Sequence, residues 1–228
     1  MRIDIWSDVV CPWCWIGKRR FQRALELLGE QAPAVDVHWH AYQLDPEASD
    51  QPVPLREAYA AKFGGTERTE QLLSQTQATA RSEGLPFDFS QGQVRVTTLP
   101  AHRLMWLAKR EGDVEAVGEA LFHAHFALGR NLADAETLVE AGAAGGLDAA
   151  RVRALLASDE GMAEVQAALD QARSLGITAV PTFVIDGRYA VQGAQPPEQF
   201  VQILRQVAAE RGAGDTAAQA CGPDGCAV

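Results

Sequence analysis

Cys11-Pro12-Trp13-Cys14 is the stretch from which the rest of this chain is read. The apolar run Ile3-Asp4-Ile5-Trp6 precedes it and reads as a strand. Ile16 to Leu28 follows with apolar residues at helical spacing, and Gly29 stops the run. Two cysteines at a strand-to-helix turn lie about one helical turn apart, within reach of a disulfide. Cys11 falls at or just before the helix N-terminus, where free backbone N–H groups and the helix dipole favour a thiolate over a thiol. Pro12 suits the first helical position because it has no N–H to lose. The chemistry expected of such a pair is thiol–disulfide exchange: Cys11 attacks a disulfide and Cys14 resolves the mixed disulfide. The same spacing also serves zinc, but no second close Cys/His pair follows to complete a site.

Around this turn the sequence offers other charged groups. Lys18, Arg19 and Arg20 form a basic cluster one turn after the cysteines, which reads as a solvated helix face. Val35 to Tyr42 alternates as a second strand, with His38 and His40 on the same side. Two strand histidines alone are weak grounds for a metal. His123 and His125, two apart on a helix, face different sides. Nothing in the sequence assigns His102 a role.

The chain has 228 residues, 47% of them hydrophobic, and a formal net charge of −10. It is long enough for one domain carrying a large insertion, with a core that needs no staples. The acidic balance argues against nucleic acid and against an anionic membrane surface as partners. No secretory signal and no membrane-spanning run is visible, so the expected location is cytoplasmic. There, paired cysteines more often do redox work than structural work.

Beyond the second strand, Pro46, Pro52 and Pro54 mark a linker and helical segments run to about Gly176. Asp134 and Asp148 read as N-caps, as does Ser158 or Asp159 for the last helix of the group. Pro86-Phe87-Asp88-Phe89 reads as a loop anchored by its two Phe. Strand texture returns with Val180-Pro181-Thr182-Phe183-Val184-Ile185, then the two-residue turn Asp186-Gly187 and a returning strand, Arg188 to Gln192. A last helix carries Phe200, Ile203, Leu204 and Val207 on one stripe and fades at Arg211-Gly212.

This order resembles the thioredoxin fold of the DsbA family, and within it the FrnE-like branch related to 2-hydroxychromene-2-carboxylate isomerases and kappa-class glutathione transferases. Ser7-Asp8-Val9-Val10-Cys11-Pro12-Trp13-Cys14 and Gly176 through Phe183 carry the resemblance most specifically. His38 through Pro46, Ala101-His102-Arg103, Ala124 through Arg130 and Gly193-Ala194-Gln195 support it. It implies an α/β thioredoxin-like domain from residues 1–50 and 177–211, an all-helical insertion over 51–176 between the second and third strands, and a flexible tail over 212–228. It also implies that Pro181 is cis, packs beside the active pair, keeps metal off it, and turns the Val180 backbone toward a substrate chain. Pro12 and Trp13 then shape the site without nearby charge. The isomerase and transferase branches carry serine where Cys11 stands, so the cysteine pair points to exchange.

The tail holds a second pair, Cys221-Gly222-Pro223-Asp224-Gly225-Cys226, whose centre suits a type I turn. Closing so short a loop adds little stability. The pair is expected to be a second redox dithiol exchanging with Cys11–Cys14. A tail metal clamp and a tail with no such role are its alternatives. If residues 212–220 are extended, they reach about 30 Å. The expectation is a cytoplasmic protein disulfide reductase or isomerase with no required cofactor and no metal. Its partners are disulfide-containing proteins and a glutathione or thioredoxin-type reductant. Two rivals stand beside it: a glutathione-dependent isomerase or transferase of a small molecule, and a non-enzymatic metal-binding or redox-sensing module.

Overall fold

A computed structural model describes residues 1–220 of the chain. A four-stranded sheet in the order β2-β1-β5-β6 forms the frame, from β1 (Arg2–Ser7), β2 (Asp36–Ala41), β5 (Thr182–Ile185) and β6 (Tyr189–Gln192). β1 and β2 are parallel, as a crossover through α1 (Pro12–Leu28) requires, and the β1–β5 and β5–β6 pairs are antiparallel. The β5–β6 turn has positive φ at both Asp186 (48°) and Gly187 (67°), the twist that a two-residue hairpin demands.

Strand alternation assigns the two faces. Ile3, Ile5, Phe183, Ile185 and Val191 are buried against Phe21, Ala24 and Leu28 of α1 and Phe200, Leu204 and Val207 of α9 (Pro197–Ala220). Asp4, Trp6, Thr182 and Val184 occupy the opposite face. There the Trp6 ring stacks on His40 at 4.5 Å, and Asp4 bonds the His40 ring at 2.7 Å.

Between β2 and β5 come β3 (Val53–Pro54), α2 (Leu55–Phe63), α3 (Thr66–Ser82), β4 (Val94–Arg95), α4 (Leu99–Glu111), α5 (Val114–Phe126), α6 (Ala135–Ala144), α7 (Ala149–Leu156) and α8 (Met162–Ser174). α4 to α7 enclose their own core of Leu104, Leu107, Val117, Leu121, Leu138 and Val152. A further cluster joins the inserted helices to the frame: Trp15 of α1 lies among Phe87, Phe122 and Phe126 at 5.2, 5.9 and 6.1 Å. Phe87 and Phe89 are both buried, so the loop is anchored as the sequence suggested. Asp134 and Asp148 accept from Thr137 N–H (2.9 Å) and Arg151 N–H (3.0 Å), as N-caps do.

Three features depart from the sequence reading. α8 is not capped by Ser158 or Asp159. It starts after Gly161, at φ +75°, because the preceding turn wraps Arg103, whose guanidinium donates to the carbonyls of Leu155, Ser158 and Glu160. The short pair β3–β4 was not foreseen. And α9 does not stop at Arg211 but continues to Ala220, so the stretch 212–220 is helix and not the expected flexible tail. Alanine is the commonest residue in that stretch, and an interior Gly costs only about 1 kcal/mol of helix propensity. As helix those nine residues span about 14 Å. α9 runs back along β6, and Arg211 meets Asp186 at the hairpin tip at 3.2 Å, the end of the sheet away from Pro181.

Candidate active site

β1 ends at Ser7, and the loop that follows folds back on itself before α1. Cys11 N–H donates to Asp8 O and Cys14 N–H donates to Cys11 O, each at 3.0 Å. Cys11 is the N-cap of α1, with extended backbone, and Pro12 opens the helix. Both thiols are free and buried, Cys11 at 3% and Cys14 at 1% exposure. Trp13, between them, is 42% exposed.

The partner of this turn comes from the far end of the sequence. The Val180–Pro181 bond is cis, and the Cys11 thiol donates to Val180 O at 3.6 Å. The Cys11–Cys14 turn and Val180–Pro181 therefore meet where the two central strands β1 and β5 have their neighbouring ends. Gly17 makes the approach possible: a Cβ there would stand 2.9 Å from Pro181 Cγ and 3.5 Å from Ala194. Gly193 N–H donates to Pro181 O at 2.7 Å and fixes the loop from the other side.

The two thiols have different surroundings. Burial pushes the Cys14 thiol well above its ordinary pKa, and Cys11 beside it adds to the effect. The nearby Ser7 hydroxyl and Asp8 backbone N–H work the other way. Asp8 is a structural hub of the loop. Its carboxylate, 1% exposed, accepts Leu44 N–H at 2.8 Å and lies 3.3 Å from His102 Nε2, which also donates to Tyr42 O at 2.9 Å. Tyr59 of α2 packs on the cluster that contains both cysteines. Burial first, then the charges of Cys11, Asp8 and Asp45, pushes its phenol up to about 12, so it stays protonated.

The basic cluster is not a solvated face. Lys18 is 5% exposed and its ammonium meets Glu119 at 2.5 Å and Glu115 at 3.3 Å, both on α5. Arg19 joins Glu119 at 3.0 Å, and Arg20 joins Glu83 at 2.6 Å and Ala194 O at 2.6 Å. These side chains lock α1 to the inserted helices and to the loop after β6. Acidic partners 63 to 101 residues away carry no local signal, so the sequence left them unread. His38 pairs with Asp36, and His123 lies edge-on to Trp15 at 6.5 Å. Among the described residues no cluster of His, Cys, Asp and Glu has the arrangement of a metal site. Cys221 and Cys226 lie outside the described residues.

The family described as a DSBA-like thioredoxin domain matches residues 2–205. The structure of a probable DsbA oxidoreductase, SCO1869 from Streptomyces coelicolor, superposes with a TM-score of 0.86 at 39% identity, covering 100% of this chain and 99% of that one. The uncharacterized protein YwbO of Bacillus subtilis is 28% identical over 207 residues, 90% of this chain and 96% of its own. The cytosolic disulfide reductase DsbM of Pseudomonas aeruginosa, solved with GSH, shares the fold: TM-score 0.63, 18% identity, 90% of this chain and 98% of that one.

Proposed function

The chain belongs to the DsbA-like thioredoxin-domain family, and on that premise we propose that it is a thiol–disulfide oxidoreductase that reduces or isomerises protein disulfides. The observation that carries the reading is the asymmetry of the pair. Cys11 stands at a helix N-terminus with its sulfur against Val180 O, while Cys14 lies in the first turn of the helix with its thiol pushed up by burial. The Cys11 thiolate attacks one sulfur of R–S–S–R′. The Cys11–S–S–R bond forms and R′S⁻ leaves. Cys14, once deprotonated, attacks Cys11 Sγ; the Cys11–Cys14 disulfide forms and RS⁻ leaves. Two electrons pass from the dithiol to the substrate. The Val180 backbone receives the substrate chain as an added strand, with Pro181 beside it and Pro12 and Trp13 shaping the entrance. A glutathione or thioredoxin-type pool regenerates the dithiol, and the reducing poise of the cytoplasm suits this direction.

The proposal extends to Cys221 and Cys226 as a second dithiol that exchanges with the first.

The test is insulin reduction together with a redox titration in glutathione buffers, alkylation and mass spectrometry reading each pair. Cys11→Ser abolishes turnover, and Cys14→Ser accumulates a mixed disulfide with substrate. Insulin reduction at the native rate by Cys11→Ser would refute the assignment. Small-molecule turnover that survives Cys14→Ser, with saturable glutathione binding, would favour the glutathione-dependent isomerase or transferase. If Cys221→Ser/Cys226→Ser leaves the exchange rates of Cys11–Cys14 unchanged, the second dithiol is discarded.

A further inference from the structure

Between the sheet and the inserted helices the protein is not solid. A cavity of about 60 Å³ lies where α1, β2, α4, α5 and α8 converge, room for roughly four to six groups of water size. Its walls are mostly apolar: Trp39 of β2, Met105 and Trp106 of α4, and Val165 and Ala168 of α8. Gly118 of α5 belongs to the wall too. A Cβ there would stand 3.2 Å from Met105 Cε, so the glycine preserves the space. Most polar groups of the wall already have partners. Lys18 is held by Glu115 and Glu119, Trp39 Nε1 donates to Glu115 at 2.6 Å, His40 bonds Asp4, and His102 Nε2 donates to Tyr42 O.

Two lining residues differ. Lys109 of α4 and Glu164 of α8 are exposed at the rim with opposite charges, and among the described residues neither makes an ion pair. The Lys109 side chain reaches solvent, yet burial of its ammonium pushes the pKa below the ordinary lysine value. Asp4, the acid that works the other way, is already bonded to Arg2 and to His40, each at 2.7 Å. A cation so placed gains from an anion brought beside it.

We propose that this cavity binds a free α-amino acid with an aliphatic side chain of the leucine or methionine kind, its carboxylate on Lys109 and its ammonium on Glu164. A zwitterion answers both rim charges at once, and a side chain of about four heavy atoms suits the space between the walls. A hydrocarbon would leave both charges unanswered, and a simple carboxylate would leave Glu164 facing a like charge. Neither Cys11 nor Cys14 lines the cavity, so occupancy is read without turnover and the inference stands apart from the exchange chemistry.

Trp39 and Trp106 supply the readout. Titration of the full chain with leucine or methionine, followed by tryptophan fluorescence and calorimetry, should saturate at one ligand per chain and raise the melting temperature. Three analogues of leucine dissect the site. Glycine keeps the charges without the side chain, 3-methylbutylamine lacks the carboxylate, and 4-methylpentanoate lacks the ammonium. Each should bind at least about tenfold more weakly than leucine. In Lys109→Met, leucine and 3-methylbutylamine should bind equally; in Glu164→Gln, leucine and 4-methylpentanoate should. Ala168→Leu fills the cavity from α8 and should abolish binding. The two rim variants carry the test if that one does not fold. No saturation by leucine or methionine up to about 10 mM would overturn the proposal. So would leucine binding that is unchanged in both rim variants, or analogues that bind as tightly as leucine.

Discussion

Gly17→Ala should weaken this protein although alanine is the better helix former. In an ordinary helix interior the change stabilises by about 0.8–1.0 kcal/mol. Here the new methyl would stand 2.9 Å from Pro181 Cγ, in a ring with little freedom to yield, and 3.5 Å from Ala194. Forcing a methyl into such a contact costs about 1–3 kcal/mol. The balance runs from about zero to a loss of roughly 2 kcal/mol. For a chain of this size that lowers the melting temperature by up to about 8 °C. The loop cannot retreat alone, because Gly193 N–H holds Pro181 O at 2.7 Å. A retreat would carry Val180 O away from Cys11 Sγ, now at 3.6 Å, and insulin reduction should fall more than stability does. Thermal melting and an insulin assay on the same preparation test this. A variant that melts higher than the wild type and retains full activity would refute the seating of Pro181 on α1.

Two further substitutions probe the interior. His125 is buried, its Nδ1 has no protein partner, and burial pushes its pKa down from near 6.5 to about 4. Between those values the unfolded chain binds a proton that the native state refuses, so stability falls as pH drops, by about 3 kcal/mol over the window. In His125→Leu that slope should vanish; urea midpoints of variant and wild type that stay parallel from pH 6.5 to 4 would contradict it. Lys18→Met removes the cation between Glu115 and Glu119. The carboxylates keep partial access to water, so the loss is about 1–2 kcal/mol rather than that of a fully buried pair. It should be partly recovered in Lys18→Met/Glu119→Gln; an unchanged urea midpoint in the single variant would mean the clamp contributes nothing.

What the sequence revealed was mostly local. A strand, Cys11 at a helix start and Pro12 after it follow from neighbouring residues, as do the Asp186-Gly187 turn and the caps at Asp134 and Asp148. Pro181 was recognisable as cis only through family resemblance. Features set by distant partners were not legible. Lys18 stands in a basic run with Arg19 and Arg20, the composition of a solvated face, and nothing near it in the chain announces Glu119 on another helix. Ser158 has the chemistry of a cap, yet the carbonyl demands of Arg103 moved the helix start to Gly161. Asp8 stood within the motif, but its role depends on Leu44 and on His102 of α4. Helix length misled at Gly212, where glycine reads as a stop but is flanked by strong helix formers.

β1 sits between β2, which follows it closely, and β5, whose approach brings Val180 to Cys11 across 169 residues of chain. On a ribosome adding about 5–20 residues per second, that separation is on the order of 10–30 s of translation. Throughout that interval the nascent chain has made its dithiol but not the strand that seats it. The cysteines are then open to any oxidant or disulfide nearby. Timing of synthesis thus belongs to the biology of this site: a pause before residue 180 lengthens the exposure, and a chaperone that covers the chain from β1 through β2 shortens it.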